Sequence, residues 1–215
     1  MKSIAIMQPY FFPHIGYFQL ISAVELFIFY DDVNFIKRGW INRNYISINK
    51  QLKRFTVPVK KASRFKKINE VEIDWDSKDM NKLIKTFRLN FSKHSKSREF
   101  IENIVDVRPF TISEAAILSI ELSCNHLGIS TKLEKSSELN YEKQKDKVLN
   151  LVEICKLKKI KNYINAEGGQ LIYCKKDFLD YGINLKFIKG LSSASILEII
   201  DSEETKDMLH KYEYL

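Results

Sequence analysis

The chain has 215 residues, 45% hydrophobic and 29% charged, with a net charge of +8. That length suits one domain that buries its core without disulfides or a structural metal. No apolar run approaches the roughly 18 residues that cross a bilayer, and Gln8, Pro9 and His14 interrupt any secretory signal, so a cytoplasmic protein with no membrane insertion is expected.

The elements follow in chain order. Residues 3–7 form a short apolar run, read as a buried strand. Residues 8–13 form a loop, because Pro9 and Pro13 forbid regular structure. Tyr17, Leu20, Ile21 and Val24 share one face of a helix over 15–24. A strand at 25–30 leads into a charged, aromatic loop at 31–43. Residues 44–48 and 54–59 can pair as a hairpin around 49–51. Residues 67–73 read as a further strand. Apolar spacing then predicts helices over 77–89 and 97–105. Thr111 with Glu114 makes a capping box for a third helix, to His126, stopped at Gly128.

Beyond it the α/β rhythm returns. Strands are expected at 131–135, 162–165 and 184–188, and helices at 142–155, 171–180 and from 195 to 201. The alternation implies an α/β fold with a mainly parallel sheet flanked by helices. The expectation is one domain over residues 1–215, with a helical middle insertion at roughly 77–128.

Cys124, Cys155 and Cys174 are odd in number and lack metal-ligand spacing, so they read as small core residues. The four histidines lie far apart in sequence and no metal set is expected. Lysines crowd 50–67, 93–98 and 156–161. They read as a solvated cationic face, with a polyanion partner as the alternative.

Two segments carry chemistry. In 7–17, the loop with Gln8, Pro9, Tyr10 and His14 precedes a helix start at Gly16. Such a start can face an anion, and His14 can bind phosphate or work as acid or base. His14-Ile-Gly-Tyr17 resembles the HxGH motif of nucleotidyltransferases, with tyrosine in place of the second histidine; the fold implied is nucleotidyltransferase- or HUP-like. In 30–44, Asp31 and Asp32 offer a general base. Lys37, Arg38 and Arg43 offer cations for phosphate or carboxylate, Trp40 a stacking face, and Asn42 and Asn44 hydrogen bonds. Later, Gly168 and Gly169 let backbone amides approach a ligand, and Ser192 and Ser193 are caps or phosphate donors.

Together these segments closely resemble the WbqC-like protein family, whose pattern runs MQPYFFPYIGYFQLI, then DDVQF, then KRGWINRN. The chain matches at 7–13, 16–21, 31–33 and 37–44, with His14 where tyrosine is usual. The resemblance continues at Thr56-Val-Pro-Val59, Ser137-Glu-Leu139, 163–169 and 191–199. It implies an enzyme of O-antigen and other surface-polysaccharide (lipopolysaccharide) biosynthesis. The suggested activity is transfer of a glycyl or aminoacyl group to an amino sugar.

On that reading Asp31 or Asp32 takes the amine proton and Lys37, Arg38 and Arg43 hold the diphosphate. Gln8, Asn42 and Asn44 orient the sugar, and Tyr10 and Trp40 wall the site. The acceptor is a nucleotide-linked amino sugar; the donor is an aminoacyl-tRNA or an adenylate made from ATP, with tRNA as the corresponding partner. A nucleotidyltransferase-like enzyme acting on ATP or a nucleotide-sugar, and a basic nucleic-acid-binding protein without catalysis, are the alternatives. A homo-oligomer stays open.

Overall fold

Both faces of the first strand are apolar, so the sheet it belongs to must be covered on both sides. In β1 (Ser3–Met7), Ala5 points into one core while Ile4 and Ile6 point into the other. In β2 (Leu26–Phe29), Phe27 and Phe29 face the first core, and Leu26 and Ile28 the second. The computed structural model, which describes residues 2–192 and 194–215, resolves that pattern into a Rossmann-like α/β fold.

Beside these lie β5 (Lys132–Lys135), β6 (Asn162–Ala166) and β7 (Asn184–Lys189), and the short β8 (Glu213–Tyr214) closes one edge. The strand order is β5-β2-β1-β6-β7-β8. The first five run parallel and β8 runs antiparallel to β7. The order reverses between β1 and β6, and open α/β sheets bind ligands in the crevice beyond the carboxyl ends at such a point.

The larger core is covered by α1 (Ile15–Ser22) and by α2 (Lys78–Asn90), α3 (Lys96–Val107) and α4 (Ile112–Leu127). The smaller is covered by α5 (Lys147–Leu157) and α6 (Lys175–Leu179). A last short helix, α7 (Glu204–Met208), precedes β8. Among the described residues no helix is long and apolar enough to cross a membrane.

A separate hairpin, β3 (Arg43–Ile48) with β4 (Gln51–Thr56), stands outside the sheet. Its register pairs Ile48 with Gln51, so the turn is Asn49-Lys50, both left-handed at φ 52° and 62°. A two-residue turn of this kind matches the strand twist, which brings β4 closer to β3 than the expected 54–59.

Other departures have equally local causes. Residues 67–73 form a tight turn, Ile68–Glu70, and isolated bridges rather than a strand. Ile68, Val71 and Ile73 are buried, and the three-residue step from Ile68 to Val71 suits a 3-10 turn. The helix expected at 142–155 starts at Lys147, because the Asp146 carboxylate accepts from the Val148 and Leu149 amides. The one expected at 171–180 shrinks to α6 after a 3-10 turn, Glu167–Leu171. Leu171 and Ile172 face solvent and only Phe178 of α6 is buried. The one expected at 195–201 is a single turn, Ile196–Glu198. Two-residue β8 is too short to show any sequence period.

Left-handed lysine costs about 1–2 kcal/mol, whereas glycine is free there but more disordered when unfolded. Lys50→Gly is therefore expected to stabilise the chain by about 0.5 kcal/mol, raising Tm by about 1–2 °C in a calorimetric scan. A lower Tm would contradict the turn assignment.

Candidate active site at the carboxyl edge of the sheet

The loop after β1 is buried where most loops are exposed. Phe11, Phe12 and Pro13 are inside, so their main-chain groups need protein partners. Phe12 adopts φ 44°, a sparsely populated region for a bulky residue. Its amide donates to Ser119 Oγ of α4 at 3.0 Å. Its carbonyl accepts from Asn44 Nδ2 of β3 at 2.6 Å and from Ser195 Oγ at 2.9 Å. On either side, the Phe11 amide donates to the Ile41 carbonyl at 3.0 Å and the Ile196 amide to the Pro13 carbonyl at 2.8 Å. Asn42 Nδ2 donates to the Val57 carbonyl at 2.8 Å. Asn42 and Asn44 thus brace the loop and hairpin.

His14 caps α1, its Nδ1 accepting from the Gly16 amide at 3.1 Å. Close packing pushes its pKa below the ordinary value, and a hydrogen bond to the Leu191 backbone opposes that shift. A Cβ on Gly16 would sit 2.7 Å from the Leu191 carbonyl oxygen. The His14-Ile-Gly pattern therefore serves a cap and a close helix–backbone approach. Buried Gln19 completes that approach: its Oε1 accepts from the Leu191 amide at 2.7 Å, and its Nε2 donates to the Met208 and Lys211 carbonyls.

The two adjacent carboxylates after β2 have different surroundings. Asp31 is latched to the 3-10 turn Ser136–Glu138 that follows β5. Its Oδ1 accepts from the Ser137 amide at 3.0 Å and its Oδ2 from Ser137 Oγ at 2.7 Å. Asp32 meets the same turn and the stretch that follows it. Its Oδ1 accepts from Ser136 Oγ, and Tyr141 Oη lies 3.2 Å from its Oδ2. Lys143 Nζ pairs with Oδ2 at 2.5 Å and donates to the Asp32 carbonyl at 2.7 Å. Ser136 Oγ also lies 3.1 Å from Asp31 Oδ1, but a hydroxyl has one proton to donate, and Asp31 already holds two donors from Ser137.

Tyr141 and Lys143 reach Asp32 because the chain stays extended until Asp146 caps α5. Asn150 secures that stretch, bonding both Gln144 main-chain groups and the Asp146 carbonyl. The Tyr30 and Tyr141 hydroxyls lie close enough to influence each other. Burial, then the Asp32 charge, pushes Tyr30 up to about 12. Burial, then Tyr30 and Asp32, drives Tyr141 higher still. Tyr173, beyond β6, interacts with both Tyr30 and Tyr10, and burial raises its pKa and that of Tyr10. Tyr10, Tyr30, Tyr141 and Tyr173 thus come from the chain beyond four strands, β1, β2, β5 and β6, to lie near one another. Burial at Asp32, an ammonium at its side and protonated phenols around it make a site that can accept a proton and stabilise an oxyanion.

The remaining expected residues are dispersed. Gln8 is half-buried after β1, and its carbonyl accepts from Tyr17 Oη at 2.9 Å; Pro9 is buried. A Cβ on Gly169 would press on the Asn165 side chain at 2.9 Å, whereas one on Gly168 would meet nothing. Gly169 is thus required by packing. Ser192 is exposed, Ser193 lies outside the described residues, and the cap of the following turn is Ser195. Arg43 Nε donates to the Gly39 carbonyl at 2.9 Å. Burial, then Arg54 and Arg38 nearby, lowers its pKa. Trp40 packs beside Tyr45, ring centroids 5.9 Å apart, and Lys37 is exposed. Arg43 and Arg54 lie on the hairpin with Arg38 nearby, and among the described residues none of these cations is ion-paired to Asp31 or Asp32. Tyr30, Tyr141, Lys143 and Tyr173 join the candidate site around Asp32, and sequence reasoning gave none of them a role. The signal for Lys143 was Asp146, a cap residue that ends the helical reading before it. Among the described residues no group of three His, Cys, Asp or Glu is placed to hold a metal.

Ser119→Ala would leave the buried Phe12 amide without a partner. It is expected to destabilise the chain by about 1–3 kcal/mol in urea unfolding, with Asn44→Ala costing a comparable amount. Unchanged midpoints in both would contradict the bracing.

No solved structure matches the chain significantly. A protein of Mycobacterium tuberculosis (strain ATCC 25618 / H37Rv), named Uncharacterized protein Rv1507c, is 32% identical over 201 residues, covering 86% of this chain and 81% of that one. The WbqC-like protein family matches residues 8–193, a span that includes the buried loop, both aspartates and Lys143. The chain therefore belongs to the WbqC-like protein family.

Proposed function

We propose that the chain is a transferase of surface-polysaccharide biosynthesis that passes a glycyl or aminoacyl group to the amine of a nucleotide-linked amino sugar. The observation that carries this reading is Asp32: a buried carboxylate at the carboxyl edge of β2, held by Tyr141, Ser136 and Lys143. Membership of the WbqC-like family supports an enzyme.

In the proposed step the neutral amine attacks the acyl carbonyl carbon. The N–C bond forms, the acyl–oxygen bond to the donor breaks, and Asp32 takes the amine proton. Lys143 returns a proton to the leaving oxygen, and the Tyr30 hydroxyl donates to the oxyanion while Tyr141 donates to Asp32 and holds it in place. Gln8 and Tyr10 border the sugar beside β1, and the Lys37–Arg38–Arg43 group meets phosphate. Positioning plus electrostatics supplies most of the rate in such reactions. Asp31 holds the turn that presents Ser136.

With a nucleotide-linked amino sugar and an aminoacyl donor, Asp32→Asn is expected to lower kcat by about 10²–10⁴-fold with KM little changed. Asp31→Asn should instead lower stability by about 1–3 kcal/mol. Wild-type turnover from Asp32→Asn in that assay would sink the assignment. Because the tyrosine pKa values are raised, their hydroxyls stay protonated through neutral pH, so phenol ionisation should remove no activity below about pH 10. A loss between pH 8 and 9 that disappears in Tyr141→Phe would contradict that role.

A further inference from the structure

The positive charge of this chain is concentrated in one segment. From Val33 to Lys67, 35 residues hold eleven Lys and Arg and no Asp or Glu. The rest of the chain holds 24 Lys and Arg against 27 Asp and Glu. A cationic surface spread evenly for solubility would not leave the remainder net negative.

The segment also exposes aromatic and apolar side chains between its cations. Phe65 is 76% exposed, Ile36 53% and Trp40 52%. Residues 34–37 and 63–65 line an open groove of about 630 Å³. Its two walls are zipped together at the base: the Phe35 amide donates to the Lys66 carbonyl at 2.8 Å and the Ile68 amide to the Val33 carbonyl at 2.9 Å. The Asn69 amide donates to the Asp31 carbonyl at 3.1 Å, so the zipper begins at the proposed active site. The Arg64 guanidinium lies over the Phe65 ring, 4.9 Å from its centroid. A turn closed by the Gly39 amide on the Ile36 carbonyl leads to Trp40 beside Tyr45, and Arg38, Arg43 and Arg54 adjoin them. Among the described residues, Lys37, Arg38, Arg54, Arg64 and Lys66 make no ion pair.

We propose that residues 33–67 form a track for a single-stranded polynucleotide, the unpaired end of an RNA, which leads to Asp32. Unpaired bases stack on exposed rings while cations follow the phosphates, and this surface alternates the two. A duplex hides its base faces and would leave Phe65 and Trp40 without partners. An anionic membrane would meet charges interleaved among the rings, where insertion needs a continuous apolar face. As a route for an RNA-borne acyl donor the track deepens the transferase reading and rests on it; the binding itself does not.

The test is fluorescence anisotropy of the full chain with a labelled single-stranded RNA of about 12 nucleotides. Saturable binding is expected, with a log–log salt slope of about 3 to 4 for five phosphates. Phe65→Ala and Trp40→Ala, both at exposed positions, should each weaken it about fivefold or more. Lys161→Ala, an exposed lysine outside the segment, should leave it unchanged. Absence of binding, equal binding of a duplex, insensitivity to both ring variants, or binding to phosphatidylglycerol vesicles in place of RNA would each overturn the track. RNA binding without aminoacyl transfer would leave the track standing and remove the transferase reading. Transfer from a small activated donor without RNA binding would do the reverse.

Discussion

The main-chain groups of Phe12 tie this molecule together. The residue is buried at a left-handed φ of 44°, a conformation that persists only where the surroundings over-determine it. Here they do. One amide and one carbonyl are held by Ser119 of the helical layer, Asn44 of the hairpin and Ser195 of the segment that leaves β7. An unsatisfied buried peptide group costs about as much as a lost hydrogen bond, so these three parts are pinned to the carboxyl end of β1. The hairpin shares no strand pairing with the sheet; this loop and the 195–196 contacts set where its cations stand.

From that anchor the edge of the sheet acquires two carboxylates with separate tasks. Asp31 turns to the neighbouring strand end and is consumed by the Ser137 amide and hydroxyl. Asp32 accepts from Ser136 of the same turn and is met as well by a phenol and an ammonium delivered from the stretch before α5. The latch and the proposed base are thus neighbours in sequence but not in function. The same stretch ties the arrangement around Asp32 to the Asp146 cap and to Asn150, so a change remote from the carboxylate can still move Lys143.

Much of this was legible in the sequence because it rests on short-range rules. The alternation in Ile4-Ala-Ile6 and Leu26-Phe-Ile-Phe29 announces a sheet buried on both faces, and Thr111 with Glu114 announces α4. The breaks after β1 and β2, at Pro9 and beyond Tyr30, were legible too. What stayed hidden depends on contacts between distant residues. Asn42 and Asn44 read as ligand groups because polar loop side chains often are; they are spent on backbone carbonyls of Val57 and Phe12. His14 reads as an acid or base, whereas its Nδ1 is committed to the Gly16 amide. Lys143 and Tyr141 lie more than a hundred residues from Asp32, and only the fold brings them to it. Arg54 could not be grouped with Arg38 and Arg43 until the hairpin register was known.

The account stands on Asp32 as the group that meets the acceptor amine, and a crystal structure with a non-reactive nucleotide-linked amino sugar measures that directly. The amine nitrogen is expected within about 2.6–3.2 Å of an Asp32 carboxylate oxygen, between Tyr141 and Gln8, with the diphosphate toward the Arg38–Arg43 face of the hairpin. A sugar seated elsewhere, or one whose amine points away from Asp32 while Lys143 keeps its ion pair undisturbed, would contradict it.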